Sequence, residues 1–105
     1  MNSVKNLTVA ELVPLLKERS VKLIDVRTTA EVARGFIKGA EIIPLHVLPM
    51  RIAELDLNAP TVFYCQIGGR SAQAAAFAIK QGMQNVYNLQ GGIVAWSHFG
   101  GEITL

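Results

Sequence analysis

Four short apolar runs with helix-forming segments between them constrain this chain more than any other feature. Lys22–Val26, Glu41–Ile43, Thr61–Tyr64 and Asn85–Leu89 each read as a strand. The central runs are almost continuously hydrophobic instead of alternating with polar residues, so both of their faces have to be covered. Strands of that kind belong to a parallel sheet with helices above and below. The order of elements predicts a three-layer α/β domain with a central, mostly parallel sheet flanked by helices. The 105 residues suffice for one such domain, 1–105, and contain no repeat, linker or low-complexity stretch.

Helix signals fall between the strands. Thr8 and Glu11 have the spacing of a capping box, with Leu7 and Leu12 placed to staple the same turn. Pro14 sits inside that segment and is expected to bend or restart it. Thr28 and Glu31 repeat the capping spacing before a short helix that should stop near Gly35. Leu45–Leu55 reads as a third helix, interrupted near its start by Pro49. Arg70–Gln81 is the clearest, with Ala74, Phe77, Ala78 and Gln81 on one face and Gly82 as its stop. Gly92–Phe99 closes the series.

The chemistry concentrates in Thr61-Val-Phe-Tyr-Cys-Gln-Ile-Gly-Gly-Arg-Ser71. A buried strand delivers Cys65 to its carboxyl end, where open α/β sheets bind ligands. Gly68 and Gly69 allow a turn tight enough to aim several N–H groups inward. The helix beginning near Arg70 adds its positive end. Such a cradle favours an anion, and a thiol placed there loses its proton more readily than a free cysteine does. The expectation is an exposed, largely deprotonated Cys65 that attacks a sulfane sulfur and holds it as a persulfide. Taken singly, a cysteine in an α/β domain is a small buried hydrophobe, Arg70 a surface charge and Ser71 a helix-start residue. Within the loop, Arg70 either contacts substrate or braces the loop through a carboxylate.

Composition narrows the partners. The net charge of +2 comes from scattered lysines and arginines, which argues against nucleic acid. No apolar run approaches the ~20 residues needed to cross a bilayer, and Met1–Lys17 lacks a leader's apolar stretch. The single cysteine excludes an internal disulfide and suits a reducing compartment, so the cytoplasm is the expected location. His46 and His98 are too isolated to form a metal pair, and no cofactor is called for. Trp96 is read as packing, Met50 and Met83 as core or rim, and Ile67 as a partner contact if it stands exposed at the loop tip.

These residues resemble the rhodanese-like family over most of the chain. Leu23-Ile-Asp-Val-Arg27 is similar to its first signature, Gly35-Phe-Ile-Lys-Gly-Ala40 with Ile43-Pro44 to its second, and Cys65–Ser71 to its active-site loop. Asn85-Val-Tyr-Asn-Leu-Gln-Gly-Gly-Ile-Val-Ala-Trp96 resembles its closing segment. The resemblance implies a sheet of about five strands and a single-domain sulfurtransferase. Thiosulfate or glutathione persulfide would be the donor, and cyanide, a thiol or a sulfur-carrier protein the acceptor. By position Cys65 is the nucleophile, the Gln66, Ile67, Gly68, Gly69, Arg70 and Ser71 backbone is the cradle, and Asp25 and Arg27 pair beside the site, best read as a fixed ion pair. Two residues depart from the family pattern. Phe36 replaces a usual histidine at a structural position. Gln66 and Ile67 are uncharged where efficient thiosulfate enzymes often carry a cation, which predicts slow thiosulfate chemistry.

Two rival readings remain. A phosphatase wants five residues between cysteine and arginine, whereas Cys65 and Arg70 enclose four, and Tyr64 stands in the usual histidine's place. A non-enzymatic interaction or thiol redox-sensing module is the other, testable by peroxide reactivity without sulfur uptake.

Overall fold

The computed structural model describes residues 3–105; Met1 and Asn2, the start of the stretch searched for a leader, lie outside the described residues. In chain order the elements are β1 (Lys5–Leu7), α1 (Val9–Lys17), β2 (Lys22–Asp25), α2 (Thr29–Val32), β3 (Phe36–Ile37), β4 (Glu41–Ile42) and α3 (Leu48–Arg51). A 3₁₀ turn (Ile52–Glu54) follows, then β5 (Thr61–Tyr64), α4 (Gly69–Lys80), β6 (Val86–Leu89), α5 (Gly92–His98) and β7 (Ile103–Thr104). Five strands form one sheet in the order β1-β6-β5-β2-β4, and every neighbouring pair is parallel. The parallel three-layer sheet expected from the apolar runs is present.

β5 lies at the centre, and its four residues are all buried. Side chains alternate across it. Phe63, with Ile24 of β2 and Val86 of β6, packs under Leu48, Ile52 and the Ala74, Ala75 and Ala78 face of α4. Val62 and Tyr64, with Leu23 and Leu89, pack on the other side against Leu12, Ile93 and Trp96. Because β5 is apolar on both faces, burial alone would not fix its register. A one-residue slip, however, would set Phe63 among the partners of Val62 and Tyr64 and cost about 1–3 kcal/mol for each mispacked side chain, besides the Tyr64 hydroxyl's bond to the Ile37 amide. The central register is therefore firmly set, and with it the point where Cys65 leaves the sheet.

Both capping boxes form: Thr8 and Thr28 accept from the amides of Glu11 and Glu31, whose carboxylates accept from the Thr8 and Thr28 amides in return. α1 runs through Pro14 without restarting, at the loss of one N–H donor. The chain turns out of α2 at Gly35, whose φ of +134° suits glycine.

Three expectations need correction. The helix over 45–55 is shorter: residues 44–47 form a turn, α3 begins at Leu48 with Pro49 in its first turn, and the segment ends as the 3₁₀ turn. Proline is tolerated there because a first-turn N–H has no partner to lose. On α4 the buried stripe is Ser71, Ala74, Ala75 and Ala78; Phe77 is half-buried and Gln81 exposed beyond the helix end. Met83 is buried, as read, but Met50 is 82% exposed, in neither core nor rim. Strands β1, β3 and β7 have no clear signal in the sequence. The pairing of β3 with β7 antiparallel, Phe36 opposite Thr104, makes a two-residue ribbon too short for any periodicity to reveal. Phe36 is half-buried in it. Trp96 is packed, and its indole N–H donates to the Glu102 carbonyl at 2.9 Å.

Candidate active site

The carboxyl ends of β2, β5 and β6 meet at one edge of the sheet, and Cys65 stands at the middle of it. Beyond Cys65 the chain wraps round the sulfur and enters α4. The Gly68 N–H lies 3.1 Å and the Ser71 N–H 3.3 Å from Sγ, and the Ser71 hydroxyl oxygen is also at 3.3 Å. Gly68 has φ of +113°, the left-handed conformation that lets its amide turn inward at the mouth of α4. The loop carbonyls point the other way. Those of Cys65 and Gln66 accept from the Ile93 and Val94 amides, at 2.9 and 3.2 Å, at the start of α5. This clamp requires Gly92, where a Cβ would stand only 2.5 Å from both carbonyl oxygens. The cradle is thus built by two helix N-termini, one taking the loop's carbonyls and the other offering amides to the sulfur.

Burial alone would push the Cys65 thiol up. The Ser71 hydroxyl and the amides of Ser71, Gly68 and Ile67 outweigh it and hold the thiol below the usual cysteine value. The expectation of an exposed thiol is not met: Cys65 is only 1% exposed. The reason is geometric, because a loop tight enough to point its amides at one atom closes over that atom. The sulfur is the floor of the cradle. Around it Gln66, Ile67 and Gly69 are exposed, Ile67 by 71%.

Arg70 does not reach into the cradle. Its guanidinium makes a two-pronged pair with Glu31 of α2, at 2.7 and 2.8 Å, so it braces the loop against the neighbouring helix. The Arg70 hydrogen bonds draw the Glu31 carboxyl down to about 2, against desolvation, with Thr28 contributing. Because this folded-state value is depressed, the pair stabilises the fold fully above the ordinary carboxylate value near 4.5. That contribution is lost as pH falls from there towards 2. A Glu31→Gln protein is expected to be less stable than wild type at neutral pH, with the difference closing across that acid window; urea midpoints measured at a series of pH values check it.

Asp25 and Arg27 form a buried ion pair, with Arg27 Nη2 at 2.7 Å from Asp25 Oδ2 and the same nitrogen donating to the Gly35 carbonyl at 2.7 Å. Burial opposes the Arg27 charge, but the Asp25 hydrogen bonds and charge outweigh it and raise its pKa. The pair ties the end of β2 to the start of β3. Tyr64 packs next to it: its hydroxyl accepts from the Ile37 amide at 3.0 Å, and burial pushes its pKa up. A phosphatase histidine has no counterpart here, and the short interval to Arg70 ends on a guanidinium already engaged by Glu31.

A groove of about 610 Å³ opens beside the loop, lined by Gln66, Arg27, Arg34, Ser97, His98 and Ile93 among others. Among the described residues no cluster of three or more His, Cys, Asp or Glu is placed to hold a metal ion, and no helix is long and apolar enough to cross a membrane.

Sequence reasoning named the cradle but missed two residues that hold it. The spacing of Glu31 from Thr28 reveals only its capping role, yet it also receives Arg70. The sequence signal for Asn88 is slight: a polar residue two positions after Val86 on a buried strand face. Its side chain bonds both the Gly68 carbonyl and the Ser71 hydroxyl.

The fold and the loop define an α/β domain with an anion cradle centred on cysteine. The family model of the rhodanese-like domain matches residues 8–99. A sulfurtransferase of Allochromatium vinosum is 43% identical over 82% of this chain and 80% of its own. The thiosulfate sulfurtransferase GlpE of Pseudomonas aeruginosa is 40% identical over 82% of this chain and 78% of its own. The structure of the human single-domain sulfurtransferase TSTD1 superposes with a TM-score of 0.85 at 29% identity, covering 91% of this chain and 97% of that one. The chain belongs to the rhodanese-like domain family, and within it to the sulfurtransferase enzymes.

Proposed function

We propose that this protein, its 105 residues acting as one unit in a reducing compartment such as the cytoplasm, carries sulfane sulfur as a persulfide on Cys65. The observation that carries the reading is the convergence of the Gly68 and Ser71 amides on Sγ. With a persulfide donor RS–SH, the Cys65 thiolate attacks the outer sulfur. The Cys65 S–S bond forms, the donor's S–S bond breaks, and RS⁻ leaves with the electron pair while the proton stays on the transferred sulfur. With thiosulfate the same attack releases sulfite. A thiol, cyanide or sulfur-carrier protein then removes the outer sulfur and restores the thiolate, giving ping-pong kinetics. The amides that hold Sγ as a thiolate also stabilise it as the departing group in the second step, and the first turn of α4 offers further N–H groups to the outer sulfur.

Donor preference follows from charge. The tip residues Gln66 and Ile67 carry none, and Arg70 is neutralised by Glu31, so the cradle offers amides but no free guanidinium to a sulfonate. Arg34 lies to one side, in the groove that Glu31, already paired with Arg70, also lines, and it suits the body of a larger anionic thiol such as glutathione. The test is intact-mass detection of one added sulfur atom, reversed by reductant, followed by steady-state kinetics with each donor. The expected result is uptake from both, with kcat/KM for thiosulfate below that for glutathione persulfide by about 10-fold or more, the scale of one missing charge-assisted contact. A strong thiosulfate preference overturns the donor assignment, and no uptake from either donor overturns the sulfur-carrying role.

A further inference from the structure

Asn88 lies on β6 opposite Phe63 of β5, 6% exposed, on the strand face that buries Val86. Its Nδ2 is 3.2 Å from the Gly68 carbonyl oxygen and its Oδ1 2.5 Å from the Ser71 hydroxyl. This orientation is dictated by chemistry, because a carbonyl can only accept and the atom facing it must be the amide nitrogen. The side-chain oxygen is then left to accept from Ser71. Around the Ser71 hydroxyl oxygen stand three acceptors: Asn88 Oδ1, the Gly68 carbonyl at 3.2 Å and, when deprotonated, the Cys65 sulfur at 3.3 Å. A hydroxyl has one proton. The shortest contact takes it.

We propose that Asn88 is a positioning residue of the cradle: its amide fixes the Gly68 carbonyl, and its oxygen competes with the Cys65 sulfur for the one proton of the Ser71 hydroxyl. As a thiol, Cys65 donates S–H to Ser71, whose own proton stays with Asn88. As a thiolate it needs that proton, and the hydroxyl has to turn away from Asn88 to supply it. Asn88 therefore sets how much of the cradle's donor strength reaches the sulfur. The inference rests on Cys65 as the reactive group but requires no sulfur transfer.

Of the ionisable groups around this corner, Arg70 of α4 with Glu31 of α2 lies at the end of the loop, whereas Tyr64 of β5 and the Asp25–Arg27 pair at the end of β2 lie toward the other face of the sheet. α5 adds His98 at the neighbouring groove, and β6 adds Tyr87 on its opposite face. These groups stay in place in all the variants below, and a parallel set in a His98→Gln background controls for the imidazole.

Cys65 is the chain's one cysteine, so the pH dependence of iodoacetamide alkylation, followed by intact mass, reports on it alone. Asn88→Val keeps the strand filled and removes the competing oxygen. The midpoint is expected to fall by roughly half a unit to one unit, the value of one hydrogen bond redirected to a thiolate. In a Ser71→Ala background the same substitution is expected to give no fall, because no hydroxyl proton is left to release. A rise on Asn88→Val, or equal shifts in both backgrounds, would reduce Asn88 to structural support and overturn the proposal. Should the valine variant fail to fold, Asn88→Asp retains size and acceptor and strengthens the competition. Its midpoint should then rise more with Ser71 present than in the Ser71→Ala background, and equal rises overturn the proposal. A protein that alkylates as expected but takes up no sulfur would refute the proposed function and leave this inference standing.

Discussion

A Cys65→Ser protein is expected to gain no sulfur from either glutathione persulfide or thiosulfate, while remaining folded. The serine oxygen fills most of the sulfur's volume and can accept from the same Gly68 and Ser71 amides, so the loop keeps its shape. Chemistry is lost for a different reason: an alcohol at that position keeps its proton at neutral pH and forms no S–S bond. Since the chain has no second cysteine, nothing can substitute for it. The measurement is the intact mass of wild type and variant after incubation with each donor, with circular dichroism confirming the fold. A reductant-sensitive gain of one sulfur in the variant would remove Cys65 from the centre of the mechanism.

The largest loss of stability is expected from Asp25→Ala. Asp25 is fully buried and accepts from the Arg27 side chain and backbone N–H at once. Removing it leaves a guanidinium that is 4% exposed without its counter-ion. Breaking a buried pair from one side costs about 3–5 kcal/mol. For a domain of this size that corresponds to a Tm drop of about 10 °C or more. The loss should exceed the sum of lost contacts, and an Asp25→Ala, Arg27→Met double variant should recover part of it by removing the stranded charge. Thermal melts of the two variants and wild type decide it. A drop of only a degree or two in Asp25→Ala would show that Arg27 finds water or another partner. It would also refute the reading of this pair as the tie between β2 and the start of β3.

The legible parts of this protein are those in which one short stretch carries its own physical requirement. Thr61–Tyr64 has no polar face to show to water, so it had to be central. Thr8 with Glu11, and Thr28 with Glu31, satisfy helix amides from three residues away, a distance that sequence displays directly. Gly68 before Arg70 and an alanine-rich run announces a tight turn into a helix. The family signatures then joined these local readings into one fold. The Leu45–Leu55 segment is less legible because its apolar residues suit a helix while Pro49 and the preceding turn limit where one can start.

The sequence by itself settled the layering of the sheet, the strand that ends in Cys65 and the residues of the loop around it, since each follows from local composition and spacing. Only the tertiary structure decided where the loop's charges and dipoles go: Arg70 to Glu31, the Cys65 and Gln66 carbonyls to α5, and the Ser71 hydroxyl to Asn88. Those partners lie far apart in the chain, and no periodicity links them. They are chosen by the parallel order of β2, β5 and β6, which brings three separate chain segments to one edge and buries the sulfur among them.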